Sequence, residues 1–597
     1  MATTELTGAE EVAWDLSALY TDPDDPKLDE EIAGAERSGE AFRERYHGKV
    51  AELDAHGLAD AVAELERIES AIDRAVTYAH LRFATNMGDP TRGALVARSQ
   101  ERAAALETKL LFFALEWSAL EDDAAEAVLE APALDHWRHH LTSLRKFRPY
   151  LLSEPEERIM TEKTVSGSSA WSRLYDELLG ALRVDLDGEQ ISLETAMARL
   201  YSGDRDVRRT AAEAVTAALE PGLRTRVYVF NTILLDKSID DRLRGYPTWI
   251  THRNLANETT DEEVQALVDA TVARYELVQR YYRLKARLLG LDRIAHYDRY
   301  APVAEDPGQT SWDDARRIVS DAYTAFSPEA GEIVEGFFER SWIDAPVRPD
   351  KRTGAFCATT VPGVHPYVLM NFTGERRSIL TLAHELGHAL HGVLAQPLGL
   401  FNASTPLTTA ETASVFGEAL TFRNLLAAED DPRRRLDLLT GRLEDAIATT
   451  FRQISMNRFE QAVHTARRAE GELAPDRLKE LWLEAQTALF GDSVDVEGYA
   501  PWWSYVPHFA STPGYVYAYA YGYLFALAIF RRYEQEGEAI VEPYFELLRA
   551  GGSRSPHELA EMVGLDLTDP AIWGSGYDAL AEELDEAERL ALEIGLG

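Results

Sequence analysis

A chain of 597 residues, 45% hydrophobic and 10% aromatic, has ample material for a buried core and for more than one lobe. Its formal charge is −40, and only nine of its 61 basic residues are lysines; this acid-rich, lysine-poor surface excludes the basic stripe a nucleic-acid backbone requires and suits a high-salt cytoplasm, a halophilic reading. Cys357 is the single cysteine and excludes an intrachain disulfide, the acidic N-terminus M-A-T-T-E-L-T-G-A-E-E lacks the apolar core of a signal peptide, and the longest apolar runs (Leu110 to Leu115, Tyr521 to Phe530) are too short for a bilayer, so a cytoplasmic protein without membrane contact is expected.

Taken in chain order, W-D-L-S-A-L-Y (14–20) is the first structured unit, closed by the turn D-P-D-D-P. Residues 9 to 130 read as helix after helix, with apolar residues three and four apart over 58–72 and 94–115. Ser153 and Glu156 form a capping box with Pro155 near the helix start. Residues 181 to 193 alternate about a D-G turn and predict a β-hairpin. This change of texture marks the expected junction between an N-terminal helical lobe, 1–195, and a catalytic domain, 196–597. Helices resume over 194–290 and 311–341. The stretch 355–373, rich in β-branched and aromatic residues and broken by Pro362-Gly363, predicts two short strands. The strand near 365 to 372 is expected to hold an extended peptide along its edge.

From 374 the chain returns to helix, through T-L-A-H-E-L-G-H-A-L-H-G (381–392). His384 and His388 are four apart and share one face, where both imidazoles can reach one metal ion. Glu385 sits about 100° round the helix. It can reach a water on that metal without ligating it, as in a zinc hydrolase. Gly387 costs about 1 kcal/mol relative to alanine in a helix, which a close neighbour would explain. Four residues are candidates for a third ligand: His391, Glu411, Glu418 and His508. His391 lies on the same stripe but about 10 Å along the axis from His384, too far on an unbroken helix. Glu411 also completes a capping box with Thr408, a rival use of its carboxylate. Glu418, seven residues on, shares a face with Glu411, so either can ligate while the other orients an imidazole. Two histidines and one glutamate would leave an open, catalytic position.

Residues 500–525 carry Tyr515, Tyr517, Tyr519, Tyr521 and Tyr523 in alternation. Aromatic packing explains such a run. The other use is chemical: amide hydrolysis develops an oxyanion, and His508 with a tyrosine after the Pro513-Gly514 turn could donate to it.

Several segments together (G-A-F-C, P-Y-V-L-M-N-F, T-L-A-H-E-L-G-H-A-L-H, A-E-T-A-S-V-F-G-E and P-H-F-x-x-x-P-x-Y-V-Y-x-Y-A-x-G) resemble the oligoendopeptidase F group of thimet-oligopeptidase-like zinc metallopeptidases. The resemblance also takes in W-D-L-S-A-L-Y and the tail G-G-S-x-S-P-H-E-L. It implies a mainly α, two-lobed protein with a deep central channel and a small β-sheet near the active site. It implies one Zn2+ per chain, held by His384, His388 and Glu411, with Glu385 as general base. His508 and a following tyrosine would stabilise the oxyanion; Tyr515 is favoured, with Tyr519 one turn on. The expected activity is endopeptidase cleavage of short unfolded oligopeptides. The alternatives are a metallocarboxypeptidase with a similar channel and a non-enzymatic peptide-binding protein; the intact Glu385 argues against the latter.

Overall fold

The computed structural model describes residues 6–303 and 308–596. The protein is mainly α, 71% helical with only small sheets. It divides into two compact units, each built from three chain segments: Met1–Pro149, Pro307–Ala427 and Ile529–Asp566 in the first, Tyr150–Asp306, Ala428–Ala528 and Leu567–Gly597 in the second. Residue 195 lies inside the second unit rather than between the two.

The first unit opens with three long helices, Pro26–Tyr46, Ala55–Ala84 and Pro90–Ala119. Each starts on an aspartate: Asp25, Asp54 and Asp89 accept from the N–H groups of Lys27, Gly57 and Thr91. These caps satisfy helix-end donors that have no partner in the helix, and Pro26 and Pro90 preset the first helical turn. The apolar stripes meet in one core that includes Ile32, Phe42, Ile72, Leu106, Phe113 and Trp117. Full burial of each such side chain contributes about 1.5–3 kcal/mol before entropy is counted. Val361, Val364 and Tyr367 extend this core to a three-stranded sheet. Residues 14–20 pack there as turns: Trp14 lies against Phe356 and Tyr367, and Tyr367 Oη donates to the Asp15 carbonyl.

In that sheet Tyr367–Leu369 is central, parallel to Ile343–Asp344 and antiparallel to Phe356–Ala358. The expectation that the strand near 365 to 372 holds an extended peptide is therefore corrected. Both its edges are already paired, and its residues are buried. The outer strands are Ile343–Asp344 and Phe356–Ala358; the first is flanked by the segment 12–15, where Asp15 N–H donates to the Ser341 carbonyl and Ala345 N–H to that of Val12.

The second unit contains the predicted hairpin, Arg183–Leu186 with Glu189–Ser192. Asp187 and Gly188, both at positive φ, make its turn. The capping box at Ser153 and Glu156 forms as predicted. Several buried charges in this unit are paired: Asp298 accepts from Arg208, and Asp241 from Lys237 and Arg468. Among the described residues no helix is long and apolar enough to cross a membrane.

Candidate metal centre

The motif helix runs unbroken over Arg376–Ala395. Ile379, Leu382, Ala383, Leu386, Ala389 and Leu390 bury one face, and His384 and His388 emerge on another, partly exposed. A second helix, Thr412–Ala428, crosses it closely. At Gly387 an added Cβ would stand 2.6 Å from Ser414 Cα and closer still to the Ala413 carbonyl oxygen. At Gly417 it would run into the Tyr323 hydroxyl, which donates to the Ala383 carbonyl at 2.7 Å. These glycines let two backbones touch, which is the close neighbour the sequence pointed to at Gly387.

That crossing sets Glu411, the residue just before the second helix, opposite the histidines. Its Oε2 is 3.3 Å from His384 Nε2 and 3.3 Å from His388 Nε2. The Ser414 hydroxyl donates to the same oxygen at 2.6 Å. The capping reading of Glu411 is overturned: Thr408 lies inside the short helix Leu407–Ala410, whose N-cap is Pro406, and Glu411 is its C-cap. Glu418 Oε2 approaches the other nitrogen of His384, Nδ1, at 3.4 Å. An Nδ1–H donated to Glu418 leaves the His384 Nε2 lone pair directed at the Glu411 side. His384, His388 and Glu411 offer three ligand atoms, all within 4.8 Å of one another. Two imidazoles and a carboxylate converging with one open side fit a divalent metal ion used catalytically.

The electrostatics agree with that geometry. Burial would favour neutral His384, but the Glu411 and Glu418 carboxylates outweigh it and hold the imidazole well above its ordinary value. Burial pushes Glu411 up, and the two imidazoles more than offset this, holding it well below the carboxylate range. Glu385 is 6% exposed and is not part of the converging set. Burial raises its pKa, the two imidazoles lower it, and a hydrogen bond from the Cys357 backbone amide lowers it further. That bond ties the motif helix to the edge strand. His391 is buried, and its Nε2 has no partner among the described residues. Burial, and to a lesser degree His388, pushes it down to about 4, so it is neutral and outside the ligand set.

His508 and the tyrosines belong to the second unit. The tyrosine run is helical from Tyr517 onward, in Tyr517–Glu536, so alternate residues do not share a face. Tyr517 accepts from Asn257 Nδ2, Tyr521 packs on Trp573, and Tyr523 lies under Arg442. Tyr515 and Tyr519 instead flank His508. The His508 and Tyr515 rings are parallel at 5.8 Å, and Tyr519 stands edge-on to both, 5.0 Å from Tyr515 and 6.5 Å from His508. Between His508 and Tyr515 the Gly514 N–H donates to Glu460 Oε1 at 2.9 Å; Glu460 carried no sequence signal, being one acidic residue in the long helix Arg452–Glu470.

The sequence profile described as Peptidase family M3 matches residues 324–578, and one described as Oligopeptidase F matches residues 116–183. Oligopeptidase PepF of Bacillus subtilis is 28% identical over 92% of this chain and 83% of its own length. A Chlamydophila abortus protein aligns with a TM-score of 0.84 at 22% identity, covering 98% of this chain and 99% of that one. Oligoendopeptidase-F from Enterococcus faecium aligns with a TM-score of 0.72 at 23% identity, covering 95% and 99%. The matched M3 profile spans the motif helix, Glu411 and the His508 turn together, and with the oligopeptidase F profile ahead of it the chain is a metallopeptidase similar to the oligoendopeptidases F of family M3.

Proposed function

We propose that this chain is a zinc-dependent endopeptidase of short unfolded oligopeptides. One Zn2+ per chain is held by His384, His388 and Glu411. The observation that carries this reading is the approach of both imidazole Nε2 atoms to one Glu411 oxygen, with Glu385 beside them on the motif helix. Zinc held there supplies a Lewis acid that acidifies water and polarises the scissile carbonyl. Glu385 takes the proton of the attacking water and passes it to the leaving amine. Its raised pKa makes it a better proton acceptor, and the Cys357 amide orients it. The edge of Phe356–Ala358 holds the peptide extended by backbone hydrogen bonds. His508 and Tyr515 donate to the oxyanion as the tetrahedral centre forms. The acidic, lysine-poor composition supports a cytoplasmic setting of high salt with no nucleic-acid partner.

A quenched-fluorescent peptide blocked at both ends tests the reading directly. Internal cleavage, abolished by a chelator and restored by Zn2+, is expected. A carboxypeptidase would leave the blocked peptide whole, and that result would overturn the endopeptidase assignment.

A further inference from the structure

Glu460 lies in the helix Arg452–Glu470 and is 1% exposed. One oxygen, Oε1, accepts the Gly514 backbone N–H at 2.9 Å. The other, Oε2, has no partner among the described residues, and neither does the nearby Arg253 Nε. A buried carboxyl held by one hydrogen bond is costly and calls for an explanation. Its partner supplies one. Gly514 is at φ +74°, where side chains are strained, and an added Cβ would stand 3.3 Å from Ile250 Cγ1 and 3.5 Å from Trp249. The turn is thus pressed backbone-first into a fixed seat. Thr512 N–H donates back to the His508 carbonyl, and Tyr515 N–H to that of Thr512. His508 and Tyr515 therefore leave this short turn at either end, with Gly514 directly before the tyrosine.

We propose that Glu460 is a positioning residue: by holding the Gly514 amide it sets where His508 and Tyr515 present their donor groups to the oxyanion. This rests on the reading of those two side chains as oxyanion donors. Burial pushes Glu460 up to about 8, with the Gly514 amide and Arg253 offsetting only part, so the group is neutral at pH 7. Glutamine at 460 then keeps the acceptor with no charge to lose, whereas leucine fills the site and removes the bond.

Glu460→Leu is expected to lower kcat about 10- to 100-fold with KM nearly unchanged, because an interaction made only in the transition state is weakened. Affinity for a phosphinic peptide that mimics the tetrahedral intermediate should fall in parallel, while Tm holds or rises. Glu460→Gln should restore kcat to within a few-fold of the parent. Gly514→Ala, which shifts the turn with Glu460 intact, should reproduce the kcat loss. A Glu460→Leu enzyme with unchanged kcat, beside a His508→Ala enzyme that has lost it, overturns the proposal alone. Unchanged kcat in both His508→Ala and Tyr515→Phe overturns the donor reading and this proposal with it. A fall in Tm and kcat together, with phosphinic-peptide affinity unaltered, shows a purely structural role and also overturns it.

Discussion

Glu411 and Glu418 are seven residues apart, one just before the helix Thr412–Ala428 and one inside it; only Glu411 approaches both imidazoles, while Glu418 meets His384 at its other nitrogen. Removing each should have a different outcome. Glu411→Ala is expected to strip the metal, whereas Glu418→Ala keeps it with affinity about 10- to 100-fold weaker; chelator competition measures both. Glu385→Gln should bind metal stoichiometrically and lose about 10²- to 10⁴-fold in kcat, read by peptide hydrolysis beside metal analysis. Residual turnover near the parent rate would remove Glu385 from the base role. Away from the centre, burial pushes Glu69 up to about 7 and Asp73 up to about 6, with neighbouring carboxylates adding to both. Both values exceed the unfolded ones, so the folded state binds more protons in between. The stability this contributes is complete below the unfolded carboxyl range and is lost progressively as pH rises from there through the folded values of about 6 and about 7. The urea midpoint should fall over that window, and the Glu69→Gln, Asp73→Asn double variant should flatten the fall.

The crossing of Arg376–Ala395 with Thr412–Ala428 is the element on which the centre depends. Its two touching points are glycines, and neither has room for a methyl group. Gly387→Ala forces the helices apart and should cost about 1–3 kcal/mol, despite alanine's better helix propensity. Because the same movement withdraws Glu411 from the histidines, metal affinity should drop together with the denaturation midpoint. A variant stabilised by the methyl group, with metal affinity intact, would contradict this account. The three-stranded sheet makes a second element-level choice. Pairing on both sides consumes Tyr367–Leu369 and leaves the edge of Phe356–Ala358 for other partners, the same strand whose Cys357 amide reaches Glu385.

Over the whole molecule, a formal charge of −40 opposes compaction. Many arginines are already engaged with carboxylates at the surface, as Arg477 is with Glu470 and Glu480, but exposed pairs of this kind contribute little each. Screening has more to offer. Raising KCl from about 0.1 M to about 1 M shortens the Debye length from about 10 Å to about 3 Å. Tm and peptidase activity are both expected to rise across that range. A Tm that is flat or falls with KCl would mark the acidity as unrelated to salt.

Much of the protein was legible in the sequence because the relevant signals are local. Helical periodicity over 58–72 and 94–115, the Ser153 box and the Asp187-Gly188 hairpin each depend on residues a few positions apart, and each forms as read. The spacing of His384 and His388 likewise puts both imidazoles on one helix face without help from the rest of the chain. The tertiary structure decided what depends on distant segments meeting. The glycine contacts at the helix crossing chose the carboxylate that faces the imidazoles. Strand order chose the free edge. The helical start at Tyr517 separated Tyr515 and Tyr519, beside His508, from the tyrosines that pack elsewhere. Glu460 was invisible beforehand for the same reason: its partner, Gly514, is 54 residues away, and only packing brings the two together.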